Sequence, residues 1–216
     1  MCISCTLAFN IGPMMNEESI LDFWRWFVKN ESRIQKCIQT KDSKEQEKIV
    51  HALNELVLGF GAFSWDIGQN EDNQWFFTIS PNLDGELLKI STAVIELVPD
   101  HLNWFFYSSK PTKKWDYQLE VFDELLDVFT VDTSKWYYNA FEEEDGSIEL
   151  VFEINTLANK HSEAIENSIT AFIINELGEE FLISEISNIE FFKVFDEEFS
   201  ATKAPITELK AQVLSQ

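Results

Sequence analysis

Twice along this chain the spacing of apolar residues switches between the helical and the extended period in the same order, and that double switch restricts its folds more than any other feature. Phe63, Trp65 and Ile67 alternate with polar neighbours, residues 69–73 turn the chain, and Trp75, Phe77 and Ile79 alternate again, which reads as a β-hairpin. A helix opened by Asn82 or Asp84 carries Leu87, Leu88, Val94, Ile95 and Val98 and stops at Pro99, and residues 103–107 read as a strand. Further on, Trp136, Tyr138 and Ala140 alternate, residues 142–146 turn, and residues 148–154 return. A helix over 157–177 with Ile165, Ile169, Phe172, Ile173 and Leu177 on one face then ends at Gly178, and residues 189–195 form a closing strand. The expected fold class is α+β, an antiparallel-dominated sheet with covering helices in two tandem β-β-α-β units, as two small halves or one extended sheet.

Two helices precede the first unit. Asn16 caps one running to about Asn30 with Ile20, Phe23, Trp24, Phe27 and Val28 on one face, and Asp42 and Ser43 open another bearing Ile49, Leu53, Leu56, Val57 and Phe60. Residues 117–122 read as an additional strand, 123–132 as an irregular acidic connection, and Pro205 opens a short last helix. The organisation expected is an N-terminal extension over 1–15, a helix-helix-β-β-α-β half over 16–115 and an acidic half over 116–216. Translation beginning at Met14 or Met15, directly before the first helix, would make the extension an upstream addition.

Charge divides the chain. Of the formal net charge of -22, residues 116–216 hold 23 Asp and Glu against 5 Lys and Arg, while residues 1–115 are nearly balanced at 15 against 11. Nucleic acids and anionic membranes are held through Lys and Arg, so the second half would repel them and attract a basic protein; keeping the protein soluble is the plainer use of the same charge. No apolar run is long enough for a membrane helix, the first ten residues lack the basic start of a signal peptide, and three cysteines make no disulfide framework. A cytoplasmic location is expected. Cys2 and Cys5 are spaced as half a zinc site, but His51, His101 and His161 are isolated and supply no second half, so neither metal nor cofactor is expected.

Several segments carry a resemblance. Residues 23–27 (FWRWF) on an opening helix, residues 103–111 (NWFFYSSKP), and residues 189–194 (IEFFKV) followed by 205–209 (PITEL) are similar to a family of uncharacterised bacterial proteins of about this length, across most of the chain from Met14. The resemblance implies a fold of two α+β halves and carries no activity, cofactor or site residue with it.

Catalytic signatures are missing. Gly59-Phe-Gly61 follows a helix and precedes a strand, the reverse of the order that aims a helix N-terminus at phosphate, and reads as a helix stop. There is no Gly-x-Ser-x-Gly elbow, no His-Glu-x-x-His and no P-loop. Glu142, Glu143, Glu144 and Asp145 could hold a hard cation but lack the alternating spacing of a calcium loop, and a solvated turn accounts for them. Among seven tryptophans, Trp24, Trp65, Trp75, Trp104 and Trp136 fall on core faces. Arg25 and Trp26 lie on the flank of the first helix, and Trp115 sits beside Lys110, Lys113 and Lys114. Aromatics beside cations are enriched where proteins bind proteins, but packing is the preferred reading, with Trp26 against the second half and Trp115 over a core edge.

The candidate binding residues are therefore Arg25, Trp26, Trp115, Glu142, Glu143, Glu144 and Asp145. The favoured reading is a non-enzymatic acidic binding protein of the immunity or inhibitor kind, docking on a basic protein partner. One alternative is an enzyme with a carboxylate and histidine pocket between the halves; another is a self-associating protein, a homo-oligomer without ligand.

Overall fold

The computed structural model describes residues 3–5, 17–40, 43–122, 128–155 and 162–214. The chain forms two compact units, Met1–Lys110 and Pro111–Gln216, each with its own buried cluster. The fold is α+β with mostly antiparallel sheets, and both β-β-α-β units are present.

In the first unit the elements are β1 (Ile3–Cys5), α1 (Glu17–Thr40), α2 (Ser43–Leu58), β2 (Ser64–Gln69), β3 (Trp75–Ser80), α3 (Gly85–Glu96) and β4 (Phe105–Tyr107). The sheet order is β1-β2-β3-β4, antiparallel except for the parallel β3–β4 pair that α3 makes necessary by returning the chain to the starting end. Helix α1 runs ten residues beyond the expected end at Asn30, because Ile34, Cys37 and Ile38 extend the buried stripe of Ile20, Phe23, Trp24 and Phe27. The β2–β3 turn is locked by Asn70, whose side-chain oxygen accepts from the Asp72 and Gln74 amides. Asp84 caps α3 by accepting from the Glu86 and Leu87 amides. The core is aromatic, with Phe23–Trp24, Trp24–Phe106 and Phe27–Trp104 ring centroids 4.8, 5.1 and 5.2 Å apart. The indoles are buried without stranding their donors, since Trp24, Trp65 and Trp104 donate to Val94 O, Asn54 Oδ1 and Glu31 Oε1 at 2.8, 2.7 and 2.8 Å. Trp75 is half-buried and stacks on Trp104.

The second unit opens with a separate ribbon, β5 (Gln118–Phe122) and β6 (Val128–Asp132). The expectation of an irregular connection over 123–132 is thus corrected for 128–132, which pair antiparallel with β5; residues 123–127 lie outside the described residues. A 3-10 turn (Thr133–Lys135) leads into β7 (Tyr137–Glu142) and β8 (Ile148–Glu153), followed by α4 (Ser162–Leu177), α5 (Glu179–Ser184), β9 (Ile186–Phe192), α6 (Glu197–Thr202), β10 (Ala204–Pro205), a 3-10 turn (Ile206–Glu208) and α7 (Leu209–Val213). The sheet order is β10-β7-β8-β9, with β8 and β9 parallel. The closing strand begins three residues earlier than its apolar run, because Ile186 pairs with Ile148.

Helix α4 covers one face of this sheet and α6 part of the other, so that Leu150, Val151 and Phe152 at the middle of β8 are buried on both sides. On one face Tyr138, Ile148, Leu150 and Phe152 belong to the same buried cluster as Ile165, Ile169, Phe172 and Ile173 of α4. On the other, Phe141 and Phe192 meet Phe199 of α6 at centroid distances of 6.0 and 5.8 Å. Asn139 ties α6 to the strand, donating to Phe199 O at 3.0 Å and accepting from Thr202 Oγ1 at 2.8 Å. Beside it the buried Glu153 carboxylate accepts from Lys203 Nζ at 2.9 Å and from the Phe195 amide at 3.0 Å, while Lys203 lies over the Tyr137 ring.

Candidate functional site

The four acidic candidates share one hairpin tip. Glu142 ends β7, and the chain reverses through Glu143, Glu144, Asp145 and Gly146 into β8. Glu143 N–H donates to Ser147 O at 2.8 Å, Gly146 N–H returns to Glu143 O at 3.0 Å, and Gly146 takes the left-handed φ of +86° that the reversal requires. Asp145 is engaged locally: its Oδ1 accepts from the Ser147 hydroxyl at 2.6 Å and amide at 3.0 Å, and these bonds hold its carboxyl below the usual aspartate range. All four side chains are exposed. Other carboxylates of this unit take a cation, Glu153 from Lys203 and Asp132 from Lys135, but among the described residues no Lys or Arg pairs with Glu142, Glu143, Glu144 or Asp145.

Next to the tip, along the outer edge of β7, is a cavity of about 330 Å³. Five consecutive strand residues form one wall, Tyr138, Asn139, Ala140, Phe141 and Glu142; Ile148, Thr202, Ala204, Gln212 and Val213 form the rest. Tyr138 donates its hydroxyl to Gln212 Oε1 at 2.5 Å, and burial, aided by the nearby Glu208 carboxylate, pushes the phenol up to about 12. Beyond Tyr138 this edge has no strand beside it among the described residues, because β10 covers only Tyr137 and Tyr138.

The aromatic candidates fall elsewhere. Trp115 is half-buried on the second core, its indole N–H donating to Glu176 Oε1 at 2.6 Å and its ring 5.9 Å from Phe172 and 5.2 Å from Tyr117. None of these partners belongs to the acidic turn. Trp26 is half-buried against the first core, while its neighbour Arg25 points to solvent and pairs with Asp22 at 2.5 Å. His51 and His101 are exposed in the first unit, and His161 lies outside the described residues, as does Cys2. No group of three or more His, Cys, Asp or Glu suited to a metal ion occurs among the described residues, and no helix there is long and apolar enough to cross a membrane.

The turn is legible in the sequence and the cavity is not. Its far wall comes from Thr202, Ala204, Gln212 and Val213, on short elements that no apolar period announces. One signal was readable: Asp196 followed by two glutamates opens α6, and its Oδ1 accepts from the Phe199 amide at 3.0 Å. Comparison with known proteins adds no relative, since no family model, curated protein or solved structure matches this chain.

Proposed function

We propose that this chain is a non-enzymatic binding protein, of the immunity or inhibitor kind, whose acidic second unit docks on a basic protein partner in the cytoplasm. The observation that carries the reading is the set of Glu142, Glu143, Glu144 and Asp145, exposed together on one hairpin tip with no cation paired to them among the described residues. Charge held in this way costs self-repulsion and is offset when an oppositely charged surface arrives, which raises the association rate above all. The acidic balance of residues 116–216 supports the same direction.

The test is recovery of partners from the native host with the tagged full chain, followed by association kinetics over a range of salt. The association rate with the recovered protein falls steeply as salt rises, because exposed charges are screened over about 10 Å at 0.1 M. Reversing all four carboxylates lowers that rate, with only a small fall in melting temperature from the lost Asp145–Ser147 bonds. Recovery of the chain itself alone, with affinity indifferent to salt, would sink the reading and favour self-association.

A further inference from the structure

We propose that the open edge of β7 accepts an added β-strand, an extended segment of a basic partner carrying Lys or Arg at alternate positions. This rests on the docking reading above and names how the partner is held.

The backbone parity of β7 is fixed by two bonds. Glu143 N–H donates inward to Ser147 O on the β8 side, and Trp136 O accepts outward from Ile206 N–H on the β10 side. Alternation then turns the N–H and C=O groups of Ala140 and Glu142 outward. Had β10 continued along β7, Lys203 and Thr202 would lie opposite Asn139 and Ala140, by extension of the Ala204–Tyr138 and Pro205–Tyr137 register. Both are diverted. Thr202 ends α6 with its hydroxyl on Asn139, and Lys203 is drawn to Glu153. The cavity occupies the space those residues leave, so an incoming strand meets a prepared slot beside a row of backbone donors and acceptors.

Charge selects the occupant. A strand lying along residues 140–142 runs past Glu142, Glu143, Glu144 and Asp145, so its Lys or Arg side chains gain carboxylates that have no cation partner among the described residues. On the face shared with Ala140, small apolar side chains meet Ile148 and Val213 on the cavity wall, beside Glu142, which pairs with Ile148 across the hairpin. A second copy of this chain is disfavoured at the same edge, because its second unit carries the same excess of Asp and Glu over Lys and Arg.

The probe is a fluorescein-labelled octapeptide of alternating lysine and valine, titrated into the full chain by fluorescence anisotropy, with two backbone-methylated versions. One version carries N-methyl groups on the odd amides, the other on the even amides. Edge pairing predicts that one version loses at least tenfold in affinity and the other binds as the parent does, because only alternate amides of an added strand face β7. The amide resonances of Ala140 and Glu142 shift on binding. Equal binding by all three peptides overturns edge pairing; if the variant Glu142→Lys, Glu143→Lys, Glu144→Lys, Asp145→Lys still loses them, docking by surface charge survives alone. Binding by none of the peptides, or a chain dimer that excess peptide leaves intact, also overturns the proposal.

Discussion

Tyr138 shows how much a single side chain ties together. It pairs with Phe152 across the sheet, lies almost wholly buried, and reaches Gln212 of α7 with its hydroxyl, so strand and last helix are fastened at one atom. Its phenol is raised to about 12 from an unfolded value near 10, so above pH 10 the native state keeps a proton that the unfolded chain has given up. Stability is therefore lost as the pH climbs from about 10 toward 12, and none of this loss is present at neutral pH. Tyr138→Phe should flatten the alkaline fall of the melting temperature over that range, while costing about 1 kcal/mol at pH 7 for the missing hydrogen bond. Melting curves collected from pH 7 to 11.5 check this, and parallel alkaline slopes for the two proteins would contradict it. Tyr117 is also held above the ordinary range, by burial and by Glu176, so a residual slope remains in the variant.

Among the elements, α4 carries the second core. Phe172 sits at its centre, fully buried, within 5.9 Å of the rings of Trp115, Trp136 and Phe152. Phe172→Ala should cost about 3–5 kcal/mol, because three rings cannot all collapse into the space left; a loss below about 1 kcal/mol by urea titration would place the helix at the surface. This helix, both hairpins and α3 were legible in the sequence because each is long enough for its period to repeat. The misread segments are short or one-sided. Strand β6 is hidden by its acidic flank, since its burial pattern needs only Val131 fully inside. Strand β10 has two residues and α6 six, too few for any period, yet they decide where β7 stays uncovered. The acidic turn was visible as a run of like charges; the cavity beside it was not, because it depends on residues 60 or more positions away returning to one strand.

At the scale of the whole molecule, two hydrophobic clusters have separate memberships, the first drawn from residues before 110 and the second from residues after it. A piece spanning Pro111–Gln216 should therefore fold by itself, with a dispersed amide spectrum and a cooperative thermal transition; a collapsed species with neither would show that the division is not one of stability. The parallel pairing of β8 with β9 has a consequence for the same unit. Since both strands start at the hairpin-turn end, Glu185 and Ile186 join Glu142, Glu143, Glu144 and Asp145 there, and Glu185 O accepts from the Ile148 amide at 2.7 Å. At the opposite end Lys135, Lys193 and Lys203 offset part of the charge of Asp132, Glu153, Asp196, Glu197 and Glu198. The negative charge of the sheet is thus weighted toward the turn, which gives it a dipole along the strand axis. An approaching cationic body exerts a torque on such a dipole and swings the turn forward, which trims the rotational search before contact is made.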